Sequence, residues 1–220
     1  MTYRKLAIVG ALAVGLLSGC FGEKTEEKLL VAFENATKQE KSLFEYTKKL
    51  GTLEKQEQEL YTQIIAEGKE HSGTITQKLD QAASNVAERE KILKNEKEIL
   101  EKSQKKMKAV QNNIEKIEDK KIQKQAQKVA KAYKNRYDAF QKMYENYAKS
   151  MVIEKELYEK LKMKETKLKE ISEKVKEVNK LTEEMQKEKE KFNRYTKEYN
   201  EEKVVFYKET KIKIKEPNKA

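Results

Sequence analysis

The chain has 220 residues, of which 40% are charged and 37% apolar, with one proline and no tryptophan. So little apolar surface excludes a thick globular core, because the area buried would not offset the entropy lost on folding. The remaining choices are intrinsic disorder or thin helical bundles in which each helix buries one stripe, and the abundance of Lys, Glu, Gln, Leu and Ala favours helix.

The start of the chain predicts a lipoprotein signal peptide, residues 1–19. A basic start precedes a 12-residue apolar run, residues 6–17, which is shorter than the roughly 20 residues of a membrane-spanning helix. The run ends in Leu17-Ser18-Gly19-Cys20, and Cys20 is the only cysteine of the chain. This tetrad resembles a bacterial lipobox, in which a diacylglyceryl group is attached to the cysteine before cleavage on its N-terminal side. An ordinary secretory signal with a chance cysteine is the alternative.

The mature chain would begin at Cys20, with residues 20–23 as a lipid-anchored linker, and would carry a formal charge of about +9. Lysine outnumbers arginine 45 to 4. In an exported protein, this excess of positive charge indicates an anionic surface as partner, such as acidic lipid headgroups or wall polymers. Nucleic acid is not an expected partner, because the signal peptide takes the chain away from it.

The sequence of residues 24–210 predicts an all-α fold, an elongated antiparallel bundle of long coiled-coil-like helices. The predicted helices cover residues 24–67, 74–117, 120–163 and 168–209, and no glycine or proline lies between residues 74 and 216. In the second helix apolar residues recur at every seventh position, which is typical of a coiled-coil seam. They are Leu79, Val86, Leu93, Leu100, Met107 and Ile114. The charged residues 118–121 are either a turn or a stutter, so the second and third helices are separate or continuous.

Two aromatic clusters predict how the last two helices pair. The first comprises Tyr133, Tyr137, Phe140, Tyr144 and Tyr147, and the second Phe192, Tyr195, Tyr199, Phe206 and Tyr207. Their spacing places the first cluster on one helical face. A turn near residue 170 would pair Tyr133 with Tyr207, and a turn near residue 70 would pair Phe33 with Met107. We therefore interpret the first cluster, the aromatic stripe, as core rather than as a surface that stacks on sugar rings or peptides. Residues 211–220 predict a flexible basic tail.

No catalytic set is apparent in the sequence. His71 is the sole histidine, in a glycine-flanked loop, and there is no second histidine or free cysteine for a zinc site. The carboxylate pairs Glu183-Glu184 and Glu201-Glu202 are interpreted as solvated faces with i,i+4 partners. We therefore expect no catalytic residues, no metal, no cofactor and no enzyme.

The lipobox at Leu17-Ser18-Gly19-Cys20, the Lys/Glu-rich helical remainder and the tyrosine-studded third helix resemble the YkyA-type family of proposed cell-wall-binding lipoproteins from Bacillus and related Firmicutes. The resemblance implies a lipoprotein on the extracytoplasmic face of a Gram-positive cell membrane, in contact with peptidoglycan or anionic wall polymers. The alternative is a coiled-coil spacer or scaffold that docks to another membrane or envelope protein. The resemblance assigns no catalytic residue.

Overall fold

The computed structural model describes residues 25–67, 73–163 and 165–210, and all the elements in these ranges are α-helices. They are α1 (Thr25–Gln39), α2 (Leu43–Glu67), α3 (Gly73–Ile114), α4 (Lys120–Lys162) and α5 (Leu168–Glu209). The prediction of an all-α elongated bundle is therefore confirmed. The predicted signal peptide, linker, glycine-flanked loop and basic tail lie outside the described residues.

The helices form an antiparallel bundle in which α1 and α2 follow one another along α3. Ser103 Oγ on α3 donates to the carbonyl of Ala36 on α1, while Asn85 Nδ2 on α3 donates to the carbonyl of Leu53 on α2. Next to α3 lies α4, and α5 packs along α4 and also contacts α1. Two consecutive helices, α1 and α2, thus occupy the place in the bundle that a single helix was predicted to fill.

The prediction of a single helix over residues 24–67 is wrong, because residues 40–42 form a turn. No glycine or proline marks this break. Its cause is tertiary: the Glu40 carboxylate lies 2.7 Å from Arg136 Nη1 and accepts a hydrogen bond from the Tyr133 hydroxyl at 2.5 Å, both on α4. The turn also brings Leu43 into a core cluster with Leu100 and Phe140, which are not its neighbours in sequence.

The structure separates α3 from α4 by the turn at residues 115–119. Asp119 caps α4, since its carboxylate accepts hydrogen bonds from the backbone N–H groups of Lys121 at 2.8 Å and Ile122 at 3.2 Å. Gln123 Nε2 donates to the carbonyls of Ile114, the last residue of α3, and of Glu115, and Ile117 within the turn is buried. The charged string is therefore a capped turn rather than a stutter.

The heptad residues predicted in α3 are all buried, from Leu79 to Ile114. Both Phe33 and Met107 belong to one core cluster, as the predicted pairing requires. The register between α4 and α5 differs from the predicted one: the ring of Tyr133 contacts Tyr199 at 5.2 Å, not Tyr207. The reason is that the chain reverses between Lys162, where α4 ends, and Leu168, where α5 begins, and not at residue 170 as the pairing assumed. Within this turn Thr166 Oγ1 donates to the carbonyl of Lys160.

Candidate functional site

Positive charge is concentrated where α3 ends and α4 begins. Residues 102–137 contain eleven lysines and one arginine against three carboxylates. All eleven lysines are exposed. We call them the basic end: Lys102, Lys105, Lys106, Lys108, Lys116, Lys120, Lys121, Lys124, Lys128, Lys131 and Lys134.

Most lysines of the basic end have no neutralising partner. Lys121 pairs with Glu209, and Lys134 pairs with Asp138. Two further lysines donate to glutamine side chains. The side chains of the other seven make no ion pair or hydrogen bond within the described ranges: Lys102, Lys105, Lys108, Lys116, Lys124, Lys128 and Lys131. Their charge is available to an external anion.

The fold presents a continuous lysine stripe on α4. Lys120, Lys124, Lys128 and Lys131 follow at steps of four, four and three residues, which places them on one helical face. The opposite face of the same turns is buried and consists of Ala126, Val129, Ala132 and Tyr133. Because that face packs into the core, the stripe is held outward.

Beneath the basic end, buried charges are paired one to one and hold α1, α4 and α5 together. Lys203 on α5 is 1% exposed, and its Nζ lies 3.0 Å from Glu34 Oε1 on α1. The Tyr207 hydroxyl donates to the same carboxylate at 2.5 Å. Arg136 pairs with Glu40 and also donates to Thr196 Oγ1 at 2.8 Å. The two charges within each pair neutralise each other, so the buried carboxylates do not offset the positive charge of the surface lysines.

A second polar cluster lies in the other half of the bundle, along a cleft of about 120 Å³ between α2 and α5. Arg89 and Glu154 form a buried ion pair at its floor. Although burial disfavours the charged guanidinium, Glu154 keeps the pKa of Arg89 above its ordinary value. Burial raises the pKa of Glu54, which accepts from the Tyr147 hydroxyl at 2.9 Å, and of Glu57, which accepts from Tyr158. These contacts fix the carboxylates in place.

Of the site residues that the sequence predicts, Cys20 and the cleavage motif Leu17, Ser18 and Gly19 lie outside the described residues, as does His71. The aromatic stripe belongs to the core, where Tyr133, Phe140 and Tyr147 are buried. In the described ranges, no group of three or more His, Cys, Asp and Glu side chains is arranged to hold a metal ion. Within the same ranges, no helix combines the length and apolar character needed to cross a membrane.

Sequence reasoning missed the buried polar residues. The spacing of three of them in α3 could have indicated burial. Arg89, Glu96 and Ser103 each follow a heptad residue by three positions, so they lie beside the apolar heptad residues on the same helical face. A seam with one apolar row and one polar row predicts buried ion pairs and hydrogen bonds on the partner helices. Their partners on α1, α2 and α4 cannot be identified from spacing.

Three comparisons place the chain among known proteins. The sequence model of the YkyA family, described as "Putative cell-wall binding lipoprotein", matches residues 24–209. "Uncharacterized lipoprotein YkyA" of Bacillus subtilis (strain 168) is 30% identical over 161 residues, which are 73% of this chain and 72% of that protein. A 1.6 Å crystal structure of a conserved protein of unknown function from Staphylococcus aureus aligns with a TM-score of 0.72 and 16% identity, over 86% of this chain and 97% of the other, and shows the same fold.

Proposed function

The chain belongs to the YkyA family, and on that premise we propose that it is a non-enzymatic lipoprotein tethered to the extracytoplasmic face of the cell membrane through Cys20. We propose further that its lysine-rich helical surface binds anionic polymers of the cell wall. The observation that carries the binding proposal is the basic end, where seven exposed lysines have no neutralising partner among the described residues.

Lysine suits this form of binding. Its ammonium is a compact, strongly hydrated point charge on a flexible stem, so it attracts phosphate groups without requiring a fixed geometry. Attraction between exposed charges is screened within about 8–10 Å at physiological salt. The contact should therefore weaken as salt is added, and it should depend on the number of lysines rather than on any one of them.

Binding to purified wall sacculi over a salt series tests the proposal. The informative variant is Lys124→Gln, Lys128→Gln, Lys131→Gln, which removes three unpaired charges from α4. The control is Lys149→Gln, Lys176→Gln, Lys180→Gln, which removes three exposed lysines from the other half. We expect only the first variant to lose binding at low salt. Equal loss in both, or binding indifferent to the removal of teichoic acid, would refute the lysine surface as the site.

The tether is tested separately. Cys20→Ala should release the protein from the membrane fraction and abolish a diacylglyceryl mass on the mature N-terminus, while its helical circular dichroism stays unchanged. A mutant that stays anchored, together with a wild-type chain that carries no lipid mass, would exclude the tether. Incubation of the wild-type protein with peptidoglycan should yield no cleavage product, and a product would identify an enzyme.

A scaffold function is the second candidate, favoured by exposed apolar side chains at the α4–α5 turn. Met163 is 60% exposed and Leu168 is 72% exposed. A docking partner would cover them. Cross-linking in cells with the wild type and with Met163→Lys, Leu168→Lys distinguishes the two functions: loss of a specific cross-linked protein in the variant supports the scaffold, and an unchanged pattern excludes docking at this turn.

A further inference from the structure

We infer that the basic end docks on the anionic lipid headgroups of the membrane that holds the tether, so that the bundle is oriented with its other half pointing away from the bilayer. This inference rests on the proposed tether at Cys20. It concerns a different partner from the wall polymer, although both present phosphate groups. The two partners would compete for the same lysines, and on the tethered chain we commit to the headgroups of the bilayer as the occupant of this surface.

The chain enters the bundle at the basic end. Residue Thr25 begins α1, and the antiparallel packing puts the start of α1, the α3–α4 turn and the end of α5 at the same end. Lys121, next to the turn, pairs with Glu209 at the end of α5. Thr25 follows Cys20 by five positions, a stretch that spans at most about 18 Å when extended. A lipid on Cys20 would therefore keep this end close to the headgroups.

Charge is distributed unequally along the bundle. Three cross-helix contacts mark the same height along the bundle axis: Ala36–Ser103, Glu40–Arg136 and Arg136–Thr196. The half on the chain-entry side, residues 25–40, 102–141 and 191–210, has a formal charge of +7. The other described residues, 41–67, 73–101, 142–163 and 165–190, sum to −2. An anionic bilayer therefore attracts one half and does not attract the other.

The unpaired lysines are numerous enough to orient a tethered bundle. A lysine near an anionic bilayer contributes about a fivefold gain in affinity, so the seven unpaired lysines supply more than a weak preference even when only some reach the surface. A tether converts this contact into an intramolecular one at an effective concentration in the millimolar range. A tether alone leaves the orientation of the bundle free, and the asymmetric charge removes that freedom.

Vesicle binding without the tether tests the surface itself. The chain from residue 20 onward keeps every described residue, and Cys20→Ala prevents lipid attachment. This protein should co-sediment with vesicles of phosphatidylcholine and phosphatidylglycerol but not with phosphatidylcholine alone. Lys124→Gln, Lys128→Gln, Lys131→Gln should bind about 100-fold more weakly, given about fivefold per lysine. The control at Lys149, Lys176 and Lys180 should bind like the parent.

Equal binding to the two vesicle types, or an equal loss in the control variant, would overturn the inference. So would binding to sacculi without binding to anionic vesicles, in which case the basic end serves the wall polymer alone and the proposed function stands. Conversely, the absence of lipid on Cys20 in cells, or of sacculus binding, would count against the proposed function and would leave the vesicle result unchanged.

Orientation has its own readout, because the chain contains no tryptophan. Two variants each carry a single tryptophan at an exposed position, one in each half. They are Gln127→Trp beside the lysine stripe and Leu168→Trp at the α4–α5 turn. Residues 127 and 162 of α4 are about 53 Å apart along the helix axis. With dansyl-labelled headgroups in phosphatidylglycerol-containing vesicles, we expect energy transfer from residue 127 and little from residue 168. Equal transfer from both would exclude the proposed orientation.

Discussion

The buried ion pair between Lys203 and Glu34 offers the sharpest test of how the bundle is held together. Lys203 Nζ lies 3.0 Å from Glu34 Oε1 and 3.1 Å from Thr37 Oγ1, and 5.5 Å from the ring centroid of Tyr199. The perturbation is Lys203→Met, which keeps most of the apolar stem and removes the charge. Among the described residues, Glu34 would then keep the Tyr207 hydroxyl as its one remaining donor.

The expected cost follows from burial. Removing one partner of a buried ion pair leaves an uncompensated charge and typically costs about 3–5 kcal/mol. In a chain of this size, about 3–5 kcal/mol corresponds to a fall in melting temperature of about 10 °C. The double variant Lys203→Met, Glu34→Gln should recover most of the loss, because no charge is left buried.

The assay is urea unfolding followed by far-ultraviolet circular dichroism, carried out as a double-mutant cycle. The matched control is on the same helix: Lys197 and Glu201 lie 3.7 Å apart, but their side chains are 71% and 65% exposed. Lys197→Met should therefore cost less than about 0.5 kcal/mol. If Lys203→Met is no more destabilising than Lys197→Met, or if the double variant fails to recover stability, the pair does not hold α1 to α5 as described.

The remaining predictions concern a titration, a cap and the core. Burial raises the pKa of Glu96 from 4.5 to about 7, so the folded state holds a proton that the unfolded state loses, and stability falls as pH rises through this window. Glu96→Gln should leave the free energy of unfolding nearly unchanged below pH 4.5 and raise it by up to about 3 kcal/mol above pH 7. Urea unfolding measures this difference, and the same effect of the substitution at low and high pH would contradict the raised pKa of Glu96. Asp119→Ala should destabilise by about 1 kcal/mol and speed amide exchange in the first turn of α4, whereas Asp119→Asn should not; equal exchange would exclude the cap. Leu100→Ala should cost about 2–5 kcal/mol by urea unfolding against less than about 0.5 kcal/mol for exposed Val152→Ala, and comparable costs would place Leu100 outside the core.

The helical class and the apolar seam of α3 could be predicted because both are properties of near neighbours. Helix propensity and the seven-residue repeat act over one or two turns, so the printed sequence contains them in full. The charged string before α4 was ambiguous for the opposite reason. Whether Asp119 caps a helix depends on where Ile117 and Gln123 find burial and acceptors, and those lie on the end of α3.

The partners of the buried polar groups were beyond the reach of sequence patterns. The break at residues 40–42 and the register of Tyr133 on Tyr199 depend on contacts between residues about 60 to 100 positions apart. The predicted and observed α4–α5 registers differ by eight residues, about two helical turns, and this shift leaves the aromatic periodicity of both helices intact. Periodicity alone therefore accommodates either register. Contacts such as Arg136 to Thr196 select one of them.

The sequence by itself determined that the chain is helical, that its charge is positive and lysine-borne, and that a lipobox-like tetrad ends at Cys20. Only the tertiary structure decided where that charge lies. In a continuous α3–α4 helix, residues 102–137 would sit in the middle of a long rod. The capped turn at residues 115–119 folds them back, and antiparallel packing brings them to the end where Thr25 enters the bundle. The physical reason is that electrostatic partnership depends on distance in space, which chain reversal sets and composition does not.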